Sequence, residues 1–335
     1  MKNLKPITSV VLATLLLGLI PFVSDSEKSY LVYFLFLTFC HIVLTQGWNL
    51  VAGYTGQVSL GTHAFFALGA YTTAMIWRAD LFSWENYYFD PVTMILSGLV
   101  PVIFALAIGI PLLSKLHGDY FALGTLGFGE ILKVVCIKGG QFTGGPIGIM
   151  LPSSVYTTMR PHYWTALFLA FLATGVVYFM TKSRVGLALV AISEDETAAS
   201  SSGIYILKYK VLAFAISAFL SGLCGSLYAY YLFQVSPEGF LILRWTLYPV
   251  LMCVIGGSGT VVGPILGSLL MTAVFTVTSI YLPGIHPIFS GIIIIPVSYT
   301  HLRAHETVLD LVCRLLLEKK KIKPEQLVFI STHTY

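Results

Sequence analysis

Residues Val92–Leu113 read VTMILSGLVPVIFALAIGIPLL, an apolar run without one charged side chain. At about 1.5 Å of rise per residue, a helix of this length crosses the roughly 30 Å hydrocarbon core of a bilayer. Runs of similar character lie on both sides of it. Ile7–Val23, Tyr30–Leu44, Tyr163–Met180, Val211–Phe233, and Leu247–Ile255 with Ile265–Leu282 each approach or reach spanning length. With shorter Gly-interrupted runs they predict roughly eight to ten membrane segments. Composition agrees: the 335 residues are 56% hydrophobic and 10% charged, with mean hydropathy +0.84. That balance excludes a soluble domain. The expected fold class is all-α, a polytopic integral membrane protein with some segments broken or re-entrant.

Charge placement gives an expected orientation. Lys2 and Lys5 precede the first apolar run. That run exceeds a usual signal core and a second comes soon after it, so an uncleaved first helix with a cytoplasmic N-terminus is expected. The loop Arg78–Asp90 carries Asp80, Glu85 and Asp90 against one Arg, with Trp84, Tyr87 and Tyr88 at its rim. It reads as an outer loop with interfacial aromatics. A net charge of +4 is too small to imply nucleic acid. Five cysteines (Cys40, Cys136, Cys224, Cys253, Cys313) show no CxxC spacing. They indicate neither a metal site nor a disulfide framework.

The C-terminal stretch changes character at Val297. Val297–Thr307 (VSYTHLRAHET) is what one frame of a widely used transposase sequencing adaptor encodes. Leu311–Lys319 (LVCRLLLEK) matches the flow-cell primer sequence that comes after such an adaptor, and Lys320 and Lys321 are the reading of trailing adenines. Residues 297–335 are therefore expected to be a non-native tail, with 1–296 the transmembrane domain and its last helix cut short near Pro296.

Three Gly-rich stretches interrupt the apolar runs. In Gly47–Trp77, polar Asn49, Gln57, Ser59 and His63 stand among glycines, the pattern of a broken element beside a pathway. Tight helix packing explains the glycines equally well. His63 reads as an interior hydrogen-bonded residue rather than a metal ligand. In Gly118–Ile149, Glu130 is a carboxylate in an apolar helix and so a functional suspect. Lys133 stands three residues on, and a structural pair between them is the expectation. Gly144-Gly145-Pro146 marks a turn. Gly256–Gly267 (GGSGTVVGPILG) lacks the G-K-[ST] ending of a phosphate loop and reads as a loop or broken helix lining the core, with Gly256 and Gly257 as pathway candidates. No motif for covalent catalysis is present, so no enzyme activity is expected.

The polar loop Ser183–Phe214 (SRVGLALVAISEDETAASSSGIYILKYKVLAF) stands apart from these runs. Lys182 and Arg184 bracket it on one side, Lys208 and Lys210 on the other, around Glu194, Asp195, Glu196 and a small-residue run ending at Gly203. It reads as a cytoplasmic loop at about residues 183–210, with a short helix shaped to dock on another protein; an ordinary solvated loop fits the spacing equally well.

Together these motifs resemble the permease subunits of bacterial branched-chain amino acid ABC importers, in particular the M-type (LivM-like) member of the permease pair. The resemblance rests on Gly47–Tyr71, Tyr120–Lys133 with Thr143–Gly148, Ser183–Phe214, Tyr228–Phe240 and Ile255–Gly267. It implies a multi-pass subunit of the bacterial cytoplasmic membrane, without an ATPase site or bound cofactor. Its implied partners are an H-type permease, two ATPases that use ATP, an extracytoplasmic binding protein and membrane lipid. It also implies a coupling helix at about Ile192–Ile204, with Ile192, Glu194, Asp195, Glu196 and Gly203 in the contact. Urea or short amides are the alternative cargo. An ion-coupled secondary transporter is more distant, because it needs more intramembrane carboxylates than Glu130.

Overall fold

The computed structural model describes residues 17–22, 29–79, 90–116, 118–151, 156 and 158–281. The expectations about Lys2, Lys5, the acidic residues Asp80 and Glu85, Cys313 and the 297–335 tail lie outside the described residues. The chain divides into two compact units, residues 1–276 and 277–335. The first unit holds every described element except the end of the last helix.

The described chain is almost wholly helical. In order come α1 (Tyr30–Thr55), α2 (Thr62–Arg78), α3 (Pro91–Lys115), α4 (Asp119–Lys138) and the single turn α5 (Gly140–Thr143). β1 (Ile149–Met150) precedes α6 (Arg160–Lys182), α7 (Arg184–Glu194), α8 (Glu196–Ser201) and α9 (Ile206–Leu232). Then come β2 (Gln234–Val235), α10 (Pro237–Phe240), α11 (Arg244–Gly256) and α12 (Gly263–Tyr281). Residues 17–22 are also helical. Seven segments among the described residues are long and apolar enough to cross a membrane: α1, α3, α4, α6, α9, α10 with α11, and α12.

Local chemistry sets the helix limits. Asp90 starts α3: Val92 N–H donates to its Oδ1 and Thr93 N–H to its Oδ2, both at 3.1 Å. Pro91 in the first turn lacks the N–H that would otherwise need a partner. Asp90, read from sequence as a loop acid, is therefore a buried cap. The apolar run ends at Leu44, yet α1 continues beyond it to Thr55. Gln46, Gly47, Asn49 and Gly53 all lie within this regular helix, so the expected break is confined to the residues after Thr55. There Gly56 adopts φ +69°, which only glycine takes without strain, and Gln57–Gly61 run outside any helix.

This irregular stretch is why α2 falls short of spanning length. Seventeen helical residues cover about 25 Å, and five non-helical residues add at most about 16 Å. The two together are long enough for one more crossing, with most of α2 buried against other helices.

α9 is the packing axis, lying against α1, α2 and α3. Its approach to α2 is set by glycine: a Cβ on Gly225 would stand 1.8 Å from Phe66 O, and one on Gly69 2.1 Å from Gly222 O. Small residues at such crossings let dispersion contacts and hydrogen bonds form between backbones. Thr73 Oγ1 donates to Ser226 Oγ at 2.7 Å in the same crossing. Phe66 stacks on Trp245 with ring centroids 4.4 Å apart, which ties α2 to α11. At the end of the bundle away from α8, β1 and β2 pair antiparallel, with Ile149 opposite Val235. The turn expected at Gly144–Pro146 leads into β1 of this strand pair.

The α2–α9 crossing yields a sharp expectation. Gly225→Val forces a branched side chain into the Phe66 carbonyl and should destabilise the fold by about 3 kcal/mol or more. Gly127→Ala, whose Cβ meets nothing within 4 Å, should change stability by less than about 0.5 kcal/mol. Thermal unfolding of the two variants in detergent measures the contrast.

Candidate functional site

The polar loop folds into two helices meeting at one residue, in place of the single helix expected near Ile192–Ile204. Asp195 is extended (φ −157°, ψ 111°), which stops α7. Its Oδ1 accepts from Thr197 N–H at 2.7 Å and Ala198 N–H at 3.0 Å, which starts α8. α8 then closes on Gly203 in the left-handed region (φ +82°), with Ile204 N–H donating to Ala199 O at 3.1 Å. An aspartate cap and a glycine stop thus fix a six-residue helix too short to persist by itself.

The five residues assigned to the coupling contact fall into different roles. Ile192 and Ala199 are buried anchors at 2% and 4% exposure. Glu194, Asp195 and Gly203 are exposed. Glu196 points inward: its Oε1 lies 2.5 Å from Lys210 Nζ and accepts from Gln57 Nε2 at 3.3 Å. Lys210 is only 2% exposed, and its contact with Glu196 is the one ion pair between described residues. From sequence, Lys210 reads as a bracketing surface charge and Gln57 as a pathway residue; the structure joins them. The available signal was the second of two lysines at the start of α9, adjoining the apolar run from Val211, where a buried lysine demands a counter-charge.

The remaining pathway candidates sit in three settings. Asn49 grips the turn between α11 and α12: its Nδ2 donates to Thr260 O, and Gly259 N–H donates to its Oδ1, both at 2.8 Å. Gln46 Nε2 donates to Val261 O at 2.8 Å, one turn earlier on α1. Gly256 is the last residue of α11 and Gly257 opens this turn with φ +106°. A Cβ on Gly256 would lie 1.9 Å from Gly263 O, so the expected loop is a tightly closed one.

Ser59 and His63 occupy the second setting, the broken crossing. Trp48 Nε1–H donates to Ser59 O at 2.9 Å, and Leu60 N–H donates to Thr125 Oγ1 on α4 at 3.0 Å. His63 is fully buried, and both its backbone N–H and its Nδ1 lie 2.9 Å from Thr246 Oγ1. One hydroxyl can accept from the amide and donate to Nδ1, which leaves the proton on Nε2. Nε2 faces Gly129, where a Cβ would come within 2.1 Å of it.

Glu130 is alone in the third setting. It is exposed on α4 at mid-length and forms no ion pair with Lys133, contrary to the expected pair. Among the described residues no cluster of three His, Cys, Asp or Glu is placed to hold a metal ion.

Comparison with known proteins bears on what this arrangement serves. A family described as "Branched-chain amino acid transport system / permease component" matches residues 30–298. The chain belongs to this family. Among its relatives, the high-affinity branched-chain amino acid transport system permease protein LivM of Escherichia coli K12 is 31% identical, over 70% of this chain and 60% of that protein. This permease chain therefore spans somewhat under two thirds of that relative's length. A probable LivM of Methanocaldococcus jannaschii is 28% identical over half of each chain. LivH of E. coli K12 is 31% identical over 39% of this chain and 41% of its own. No solved structure matches.

Asn49→Ala removes both hydrogen bonds to the Gly257–Gly263 turn, those of the half-buried Gly259 amide and of the carbonyl of exposed Thr260. The expected cost is about 1 kcal/mol. Faster amide hydrogen exchange across residues 257–263, with the α2–α9 crossing unaffected, is the expected signature.

Proposed function

We propose that this chain is a transmembrane permease subunit of an ABC importer that moves branched-chain amino acids (Leu, Ile, Val) inward, driven by partner ATPases. The observation that carries the reading is α8: a short helix, capped at both ends, exposed on one side and tied to the bundle on the other. Such an element is suited to receive a push from a soluble partner and pass it to packed helices. The names of the LivM relatives support the cargo, and the LivH likeness supports a second permease of H type. The rest of the assembly is two ATPases and an extracytoplasmic binding protein. ATP is used by the partners, and this chain binds no cofactor and performs no covalent chemistry.

The α8 end then faces the cytoplasm of a bacterium, with the chain in its cytoplasmic membrane and its N-terminus inside. Residues 297–335 take no part. The family match ends at residue 298, which supports that division. Within the bundle, Glu130 is the pathway residue of choice. A carboxylate on an exposed face at mid-span is costly in lipid and favourable beside a zwitterionic cargo or water. Asn49, Gln57, Ser59, Gly256 and Gly257 shape the bundle around that pathway.

Two expectations test the reading in proteoliposomes holding the whole transporter. Asp195→Ala, which uncaps α8, should lower leucine uptake per ATP hydrolysed about tenfold. An unchanged ratio would count against α8 as the coupling element. Glu130→Gln should raise the leucine concentration for half-maximal uptake while leaving basal ATP hydrolysis unchanged. Uptake abolished by a protonophore at constant ATP would instead favour an ion-coupled carrier, and transport of urea in place of leucine would move the cargo assignment.

A further inference from the structure

Lys210 lies where the coupling reading, on which this inference rests, needs a stiff contact. α8 is isolated along the chain by two non-helical joints, extended Asp195 before it and left-handed Gly203 after it. Its exposed residues cannot move the bundle through such joints unless something rigid bridges them. Two residues of α8 bind it to its neighbours: Ala199 through packing and Glu196 through charge. Glu196 Oε1 takes Lys210 Nζ from the first turns of α9 and Gln57 Nε2 from the segment leading into α2. One oxygen atom thus joins three parts of the chain.

The two receivers are the elements best placed to spread a displacement. α9 is packed against α1, α2 and α3. Gln57 lies next to Gly56, whose backbone approaches Ser193 at the end of α7, with 3.6 Å between a built Cβ and Ser193 Cα. Gln57 Oε1 is buried with no partner, so its amide is held from one side only and is free to exchange contacts. A solvated surface pair would not have this form, because Lys210 is 2% exposed and needs its counter-charge in every state of the bundle.

We propose that the Glu196–Lys210–Gln57 cluster is the transmission joint of this permease, the contact that delivers displacement of α8 to α9 and to the broken α1–α2 crossing. Lys210 is its positioning residue. Glu196 faces the bundle and serves the coupling from within, whereas Glu194 and the exposed side of α8 meet the partner.

The test uses the complete transporter in proteoliposomes, reading leucine uptake and ATP hydrolysis together. Glu196→Gln and Lys210→Met should each lower uptake per ATP at least tenfold while ATPase subunits still co-purify. The exchanged pair Glu196→Lys with Lys210→Glu should recover a substantial part, which loss of packing alone would not allow. Gln57→Ala keeps the ion pair and so retains the fold, and it should lower the ratio several-fold. Wild-type ratios in Gln57→Ala, or in either single charge variant, would overturn the joint. If the charge variants do not assemble, Gln57→Ala still decides. Cross-linking of a Ser202→Cys variant to an ATPase separates the two readings. Cross-linking with normal coupling in Gln57→Ala sinks the joint alone, and no cross-link in the wild-type background sinks the coupling reading beneath it.

Discussion

Five residues without helical hydrogen bonds, Gln57–Gly61, join α1 to α2 with Gln57, Ser59 and Gly61 buried and Val58 exposed, and the helices around them are placed so as to satisfy their backbone. Where no water reaches, each amide and carbonyl must find a protein partner. Gln57 N–H returns to Val51 O at 3.3 Å, and Ser59 O receives the Trp48 indole. Leu60 N–H goes to Thr125 on α4, and Gly61 N–H reaches Ser59 Oγ at 3.4 Å. α1, α4 and the broken crossing are therefore held in register by hydrogen bonds, not only by apolar contact. Gly61 must be small for this to occur, because a Cβ there would lie 2.9 Å from Thr125 O.

The same economy of space governs the other side of α2. Helices in lipid gain little from hiding apolar surface, since the tails are as apolar as leucine. Close backbone approach replaces that driving force. The glycines of α2 and α9 provide it, and Thr73 with Ser226 adds a hydrogen bond across the crossing. Aromatic side chains fill the region beyond, where Phe66, Tyr228 and Trp245 meet with centroids 4.4 to 5.8 Å apart. α2 is consequently, with α1, among the most enclosed helices of the bundle, although it is too short to count as a span.

Much of this is legible from residue pattern. Val92–Leu113, Tyr163–Met180 and Val211–Phe233 lie within α3, α6 and, to one residue, α9, because long apolar runs admit only one structure in a bilayer. The Gly-rich stretch announces a broken element, and the acidic cluster announces a short helix. What misleads is reading polar residues by their own character. Leu44 looks like the end of a run because Gln46 and Asn49 come after it, yet both donate to a distant turn and continue the helix. Glu196 belongs to an exposed-looking acidic cluster, and only the buried Lys210, fourteen residues on, gives it an inward role. Long-range partners of this kind leave no local trace in spacing.

The polar face of α1 connects these regions. Gln46, Asn49 and Gly53 succeed one another at intervals of three and four, one stripe of a helix. The first two hold the Gly257–Gly263 turn by side-chain bonds, and Gly53 admits Gly259 so closely that a Cβ would stand 2.5 Å from its amide nitrogen. Further along the chain, Gln57 reaches Glu196. The stripe thus runs from the α11–α12 turn to the base of α8, all on one element and its immediate extension. A helix with regular hydrogen bonds transmits displacement along its axis with little loss, whereas the turn and the six-residue α8 are fixed by a few polar contacts each. Motion at α8 has a stiff route along α1 to the turn, and a second along α9. The two routes meet again where α1 and α9 pack. On the proposed joint, a displacement of α8 would reach both receiving helices together, because α1 and α9 pack on each other.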